Sequence, residues 1–223
     1  MHDVGDTSKI ARGFDQLAAV YDPIVHLVFG SSIALLQEQV IRSLPPSKHT
    51  LILGGGTGAV LRQCLDRSLA LEYTYAEISS SMISKTKARL KRNEHQYIHF
   101  TSAPFSGVNQ TFDLVIFPFV LDCLTTAEVN STLLQTKTHL SANGQIVLFD
   151  FNQEHGTAYK KTVWKEVFIW LLYRFFRAFT HISAHRLPSF HSIMDDAGYT
   201  KCEEHYRYNG WVQATVWKTK ENA

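Results

Sequence analysis

The sequence predicts an α/β protein, a mostly parallel sheet with helices on both faces. Three observations carry this. Short, nearly all-apolar runs alternate with helical stretches between Thr50 and Asp150, the pattern of strands covered on both sides. A glycine cluster, Gly54-Gly55-Gly56-Thr57-Gly58, separates the first apolar run from its helix. The chain closes on two strand-like segments joined by Asn209-Gly210, a hairpin signal because Asn-Gly supplies the positive φ angles of a tight turn.

The elements follow in order. Ile10 to Tyr21 and Leu27 to Leu44 carry apolar residues at helical spacing, punctuated by Pro23 and Pro45-Pro46, since proline cannot continue a helix from its interior. Thr50 to Leu53 reads as the first strand and Ala59 to Leu69 as the helix after the glycines. Tyr73 to Glu77 is a strand, and Ser79 to Arg92 a helix capped by serine. Tyr97 to Phe100 and Phe112 to Phe117 are strands, the second bounded by Pro118. Thr125 to Glu128 has the spacing of a capping box and opens a helix to about Leu140. Asn143-Gly144 then turns the chain into the strand Gln145 to Asp150. Beyond it lie an aromatic helical pattern from Thr157 to Phe179 and a shorter helix from Leu187 to Ala197. Cys202 to Tyr208 and Trp211 to Lys218 form the hairpin. No repeat or Gly/Ser-rich linker interrupts the chain, so 1–223 is expected to be one domain. An N-terminal helical cap occupies 1–46, and a helical insertion occupies 155–187.

Composition excludes several classes. Of 223 residues, 45% are hydrophobic and 19% charged, enough for a sizeable core and too apolar for disorder. Lys and Arg total 22 against 20 Asp and Glu, a net charge of +2 that gives no nucleic-acid footprint. Cys64, Cys123 and Cys202 form no C-x-x-C pair, which argues against a disulfide framework and for a reducing, cytoplasmic setting. The start, Met1 to Asp6, lacks the regions of a signal peptide. No apolar run approaches the roughly 18 residues of a membrane span; Val167 to Tyr173 is cut by Arg174. The eleven histidines are scattered without metal-ligand spacing, so no metal is expected.

The glycine cluster is the principal functional signal. Between a strand and a helix, glycines permit a sharp turn and let a ligand approach the backbone, while the helix N–H groups point into the crevice at the strand ends. Glu77 stands nineteen positions beyond Gly58 at the end of the next strand. A nucleotide fold places there the carboxylate that accepts from ribose hydroxyls. Loop and carboxylate together indicate a nucleoside cofactor. They do not choose between NAD and S-adenosylmethionine, because Gly54, Gly56 and Ala59 also satisfy the dinucleotide spacing.

From Phe14 to Asp150 the chain resembles the class I S-adenosylmethionine-dependent methyltransferases, especially the small-molecule branch that includes the ubiquinone/menaquinone-biosynthesis enzymes. Phe14 to Asp22 resembles that branch's entry segment, Leu53 to Gly58 its glycine motif, and Glu77 to Met82 its ribose motif. Phe112 to Ile116 and Gly144 to Asp150 resemble its fourth and fifth strands. The resemblance implies a Rossmann-like, seven-stranded, mostly parallel sheet with a terminal antiparallel hairpin. It implies S-adenosylmethionine as cofactor, held by Tyr21, Gly54, Gly55, Gly56, Gly58, Glu77, Ile78, Met82, Ser102, Ala103 and Phe117. Two positions depart from the pattern: Ile52 and Ser102 stand where such enzymes often carry acidic residues. A non-catalytic relative that still binds the cofactor is therefore an alternative. An NAD-dependent oxidoreductase is less favoured, since none of the nine tyrosines begins a Tyr-x-x-x-Lys motif.

Methyl transfer from a sulfonium is an in-line displacement for which positioning and water exclusion can suffice, and no catalytic residue is assigned. Asp122, Cys123, His185 and His191 are the candidates for base or substrate contact. The aromatic stretch Trp164 to Phe179 is apolar around most of its helical circumference. It reads as core, as a lid with Tyr21 and Phe119 over a dry pocket, or as a peripheral membrane or partner contact. The lid reading favours a small apolar or aromatic acceptor, with Arg174 and Arg177 available to an acidic group on it. The acceptor atom and the oligomeric state are not written in the sequence.

Overall fold

The computed structural model describes residues 11–15, 18, 21–105, 110–152 and 190–220. The expected insertion at 155–187, with its aromatic stretch, His185, Arg174 and Arg177, lies outside the described residues. Seven strands form one sheet: β1 (Ser47–Leu53), β2 (Ala70–Ala76), β3 (Ile98–Thr101), β4 (Phe112–Pro118), β5 (Leu140–Phe151), β6 (Tyr199–Arg207) and β7 (Val212–Thr219). Their order is β3-β2-β1-β4-β5-β7-β6. The first five pair in parallel, and β7 joins β5 and β6 antiparallel. The expected architecture is the observed one.

Six helices with described bounds accompany the strands, and residues 11–15 are helical as well. The six are α1 (Tyr21–Phe29), α2 (Ser32–Ser43), α3 (Ala59–Asp66), α4 (Ser80–Ala88), α5 (Thr126–His139) and α6 (Phe190–Asp196). Alternation along the strands divides the core in two. Ile52, Tyr73, Tyr75, Ile116, Val147, Phe149, Ala214 and Val216 share one apolar cluster with Leu36, Val40 and Ile41 of α2 and Val60, Leu61 and Cys64 of α3. Leu51, Val115, Phe117, Ile146, Leu148 and Trp217 face the other way, with Val129 and Leu133 of α5 and Phe190 and Met194 of α6. A strand buried on both faces needs no polar alternation, which is why these runs read as continuous apolar segments.

Two local expectations are corrected. Pro23 does not punctuate a helix but sits in the first turn of α1, where a missing N–H costs no helical bond. The break falls instead at Gly30, whose φ is +56°, and the axes of α1 and α2 meet at 91°. Asn143-Gly144 is likewise no turn before β5 but lies within it. Phe112 pairs with Leu140 and Leu114 with Gln145, so a bulge absorbs the extra residues. The Leu140 side chain folds over Gly144, where a Cβ would come within 2.6 Å of it.

The hairpin turns as the sequence indicates, with Asn209 and Gly210 at φ +55° and +84°, and Tyr208 also at +53°. Tyr208 Oη donates to the Val28 carbonyl at 3.0 Å, tying the hairpin to α1. At the start of α5 both halves of the capping box form: Thr125 Oγ1 accepts from the Glu128 N–H at 3.3 Å, and Glu128 accepts from the Thr125 N–H at 2.8 Å. Thr125→Ala is expected to lower stability by roughly 0.5–2 kcal/mol, measured by denaturant unfolding. An unchanged midpoint would mean that the box adds nothing here.

Candidate functional site

The sheet order reverses direction between β1 and β4, and in open α/β sheets ligands bind in the crevice beyond the strand ends at such a point. Two loops bound it here: the glycine loop after β1, and Phe119 to Cys123 after β4. They touch, since a Cβ on Gly54 would fall 2.3 Å from Val120. The Tyr75 ring sits where a Gly55 side chain would be, also at 2.3 Å. Gly58, with φ at +85°, lies against Thr86. These glycines are thus demanded by the protein's own packing. Gly56 differs: a Cβ there would meet nothing within 4 Å, so it marks the open side of the loop.

Both backbone polar groups of Gly56 are held, one on each side of its Cα. Its N–H donates to Glu77 Oε2 at 2.9 Å. Its carbonyl accepts from Tyr75 Oη at 2.9 Å, with Thr86 Oγ1 at 3.0 Å. Glu77 Oε1 accepts from the N–H groups of Ile78 and Ser79 at 2.8 and 2.9 Å. A carboxylate offers about four acceptor positions, so three backbone donors leave Glu77 one to spare. Burial raises its pKa, and the three N–H bonds act against that rise. Ser79 caps α4 by accepting from the Met82 N–H at 3.1 Å.

The N-terminal segment is pinned over this corner. Asp15 accepts from Ser79 Oγ at 2.6 Å and from the Ser81 N–H at 2.9 Å. Asp22 accepts from Thr57 Oγ1 at 2.7 Å and pairs with Arg89. Tyr21, beside Asp22, has its phenol pushed up by burial and by Cys123, Asp122, Asp22 and Glu77 around it. Ile78 is exposed next to Glu77, and Ser102 and Ala103 are exposed just beyond β3. Met82 and Phe117 are each 1% exposed, and Phe117 lies in the apolar cluster of Leu133 and Trp217. The residue that follows at the crevice mouth is Phe119, at φ +57°. Ile52 is a fully buried core residue of β1. His191, on α6, stacks edge-on against Trp217, away from the glycine loop's partners.

Sequence reasoning singled out Asp122 and Cys123 but passed over Asp150 as a site residue. Asp150, the penultimate residue of β5, is 4% exposed; one oxygen accepts from the Phe151 N–H at 2.7 Å, and Oδ2 has no hydrogen-bond partner among the described residues. Burial raises its pKa well above the ordinary value, Asp122 raises it further, and the Phe151 N–H opposes them. The signal available was an acid closing an apolar strand at the sheet's ligand-bearing edge. Between the ordinary pKa near 3.8 and the raised native one, the folded state holds a proton that the unfolded chain has lost. Asp150 therefore costs stability as pH rises through that window. Asp150→Asn should be more stable than the parent at neutral pH, by roughly 2–4 °C in Tm per kcal/mol recovered. Scanning calorimetry from neutrality down to about pH 4 should show the difference shrinking to nothing; a variant less stable than the parent at pH 7 contradicts this.

Comparison with known proteins agrees with this geometry. Residues 51–146, from β1 into β5, match the model of a family described as a methyltransferase domain. Ribosomal RNA small subunit methyltransferase C of Haemophilus ducreyi is 32% identical over 101 residues, 44% of this chain and 31% of that protein's length. Among solved structures, DhpI in complex with SAH superposes with a TM-score of 0.69 at 15% identity, covering 97% of this chain and 98% of that one. The mitomycin 7-O-methyltransferase MmcR gives 0.66 at 14% identity over 92% of this chain and 60% of its own. At these identities the superpositions establish the fold alone. The chain has the class I fold seen in S-adenosylmethionine-dependent methyltransferases, and residues 51–146 of it match a methyltransferase domain.

Proposed function

We propose that this chain binds S-adenosylmethionine in the crevice between the glycine loop and the β4 loop and transfers its methyl group to a small apolar or aromatic acceptor. The observation that carries the reading is Gly56, its N–H and carbonyl both held and its Cα facing open space, beside a carboxylate with one acceptor position left. Gly54, Gly56 and Gly58 would hold the methionine half, with Tyr21 closing over it. Glu77 and Ile78 would take the ribose and adenine edge, and Ser102 and Ala103 the adenine. The bound sulfonium supplies an electrophilic methyl group; the chain's part is to orient the two reactants and exclude water. The matched methyltransferase domain supports this over the NAD alternative.

An apolar or aromatic acceptor is supported by the aromatic cluster that Phe119, next to the end of β4, joins. Phe119 and Phe151 lie 5.0 Å apart between centroids, and Phe151 stacks on Phe29 at 5.4 Å. Phe29 in turn meets Tyr208 edge-on at 5.4 Å. The methyltransferases acting on small molecules among the structural relatives, MmcR by its name an O-methyltransferase, favour the same class.

Isothermal titration should show S-adenosylmethionine binding and no comparable binding of NAD. Glu77→Ala should weaken it by about tenfold to a hundredfold, the worth of a charge-assisted hydrogen bond of roughly 1.5–3 kcal/mol. Unchanged affinity would make Glu77 a brace for the loop alone. Binding without S-adenosylhomocysteine formation across a broad acceptor panel would favour the non-catalytic alternative.

A further inference from the structure

We infer that the end of α4 and the loop that follows it form a docking surface for an anionic lipid bilayer. The charge is already concentrated in the sequence. Lys85, Lys87, Arg89, Lys91 and Arg92 fall within eight residues that contain no acid. Taking these five from the 22 Lys and Arg of the chain leaves 17 against 20 Asp and Glu, so this one stretch turns the net charge positive. A total of +2 conceals that asymmetry, and attraction to an anionic surface follows the clustering rather than the total.

The fold keeps these charges at the surface and largely uncompensated. Lys85 and Lys87 stand in the last turn of α4, and Arg89, Lys91 and Arg92 lead on toward the edge strand β3. All are exposed except the half-buried Lys85. The Lys87 ammonium lies 4.9 Å from the centre of the Phe100 ring on β3. The acids around the cluster are engaged. Glu94 accepts from both terminal nitrogens of Arg62 at 2.7 and 2.8 Å, and from the Lys91 N–H at 2.7 Å. Asp22 pairs with Arg89, and Glu72 with His49. Lys85, Lys87, Lys91 and Arg92 form no ion pair among the described residues. Like charges held this close repel one another, and an anionic partner relieves that repulsion.

Two apolar side chains beside the cluster select the partner. Leu71 is 70% exposed and Tyr97 47%. Tyr97 ends the single turn His95–Tyr97, and the next residue, Ile98, pairs with Tyr73, two places beyond Leu71. Strand alternation puts Leu71 on the face of Tyr73 and Tyr75. That is the face α4 covers, since Tyr75 Oη meets Thr86 Oγ1 at 3.1 Å. A bilayer accommodates all of these groups: Lys and Arg reach the anionic headgroups, tyrosine suits the interface, and leucine enters the acyl boundary. A single-stranded nucleic acid is held by stacking on several rings, and an aliphatic Leu71 offers a base no stacking plane. The glycine loop and Glu77 lie at the opposite end of α4, which Ser79 caps. The surface therefore stands apart from the cofactor crevice, and its test does not depend on the methyltransferase reading.

The test is co-sedimentation of the full chain with phosphatidylcholine vesicles, with and without phosphatidylserine. It is run at about 0.1 M and about 1 M salt, between which the screening length falls from about 10 to 3 Å. The chain is expected to bind the phosphatidylserine vesicles alone and to be released at the higher salt. Each Lys or Arg near such a surface strengthens binding about fivefold. Lys91→Gln is therefore expected to weaken binding about fivefold, and the combined K85Q, K87Q, K91Q and R92Q variant by about a hundredfold or more. Arg89 is left in place because it pairs with Asp22. Leu71→Ser with Tyr97→Ser should weaken binding severalfold and leave its salt dependence as it was. Thermal unfolding checks that each variant is folded, and the single Lys91→Gln change decides the matter if the combined variant is not. Equal binding to both vesicle types, binding to neither, or binding that the Lys and Arg substitutions leave unchanged overturns the inference. Tighter binding of a mixed-sequence single-stranded RNA, lost with the same substitutions, also overturns it and gives the surface to nucleic acid. Titration of the same samples with S-adenosylmethionine reads the proposed function separately.

Discussion

The site depends on one buried carboxylate. Glu77 is 8% exposed, yet it accepts from three backbone N–H groups drawn from two loops. Burying an ionised carboxylate costs several kcal/mol unless its oxygens are satisfied. The three bonds, each of the charge-assisted kind worth roughly 1.5–3 kcal/mol, offset that cost. They also set the distance between the glycine loop and the start of α4. With the N–H of Gly56 held by Glu77 and its carbonyl by Tyr75, the peptide groups on both sides of its Cα are tethered. The open side of the loop then faces the crevice by construction rather than by ligand-induced ordering.

The rest of the corner is arranged around that fixed peptide. Tyr75 and Thr86 occupy the volume that side chains at positions 55 and 58 would need. The N-terminal segment is then fastened from outside by acid-to-hydroxyl and acid-to-arginine contacts, Asp15 to Ser79 and Asp22 to Thr57 and Arg89. These contacts bring Tyr21 beside Asp122 and Cys123 at the far end of the crevice. The Glu77 corner is thus held by three backbone donors with one acceptor position left, while Asp150 Oδ2 is buried with no hydrogen-bond partner among the described residues.

Much of this was legible in the sequence. Buried parallel strands advertise themselves as short apolar runs, and Thr125 to Glu128 and Asn209-Gly210 act through local backbone geometry alone. The pieces that misled were those whose meaning depends on position within an element. Pro23 breaks a helix interior but not a first turn, and Asn143-Gly144 makes a turn only where no neighbouring strand captures it. Strand alternation and helix phase bury Met82 and Phe117, a direction that a motif position does not carry. The contacts of Asp15 and Asp22 span more than thirty residues and leave no local signature. Asp150 was read as the end of a strand; its missing partner is visible only when the neighbouring loops are in place.

The clamp on Gly56 is tested most directly by amide hydrogen exchange. In the ligand-free chain the Gly56 N–H should exchange slowly for a loop residue, and Glu77→Gln should accelerate it selectively, by about tenfold or more for each 1.4 kcal/mol lost. Amides in the middle of β1 should be unaffected. A Gly56 amide that already exchanges freely in the parent chain, or one left unchanged by Glu77→Gln, would contradict the account.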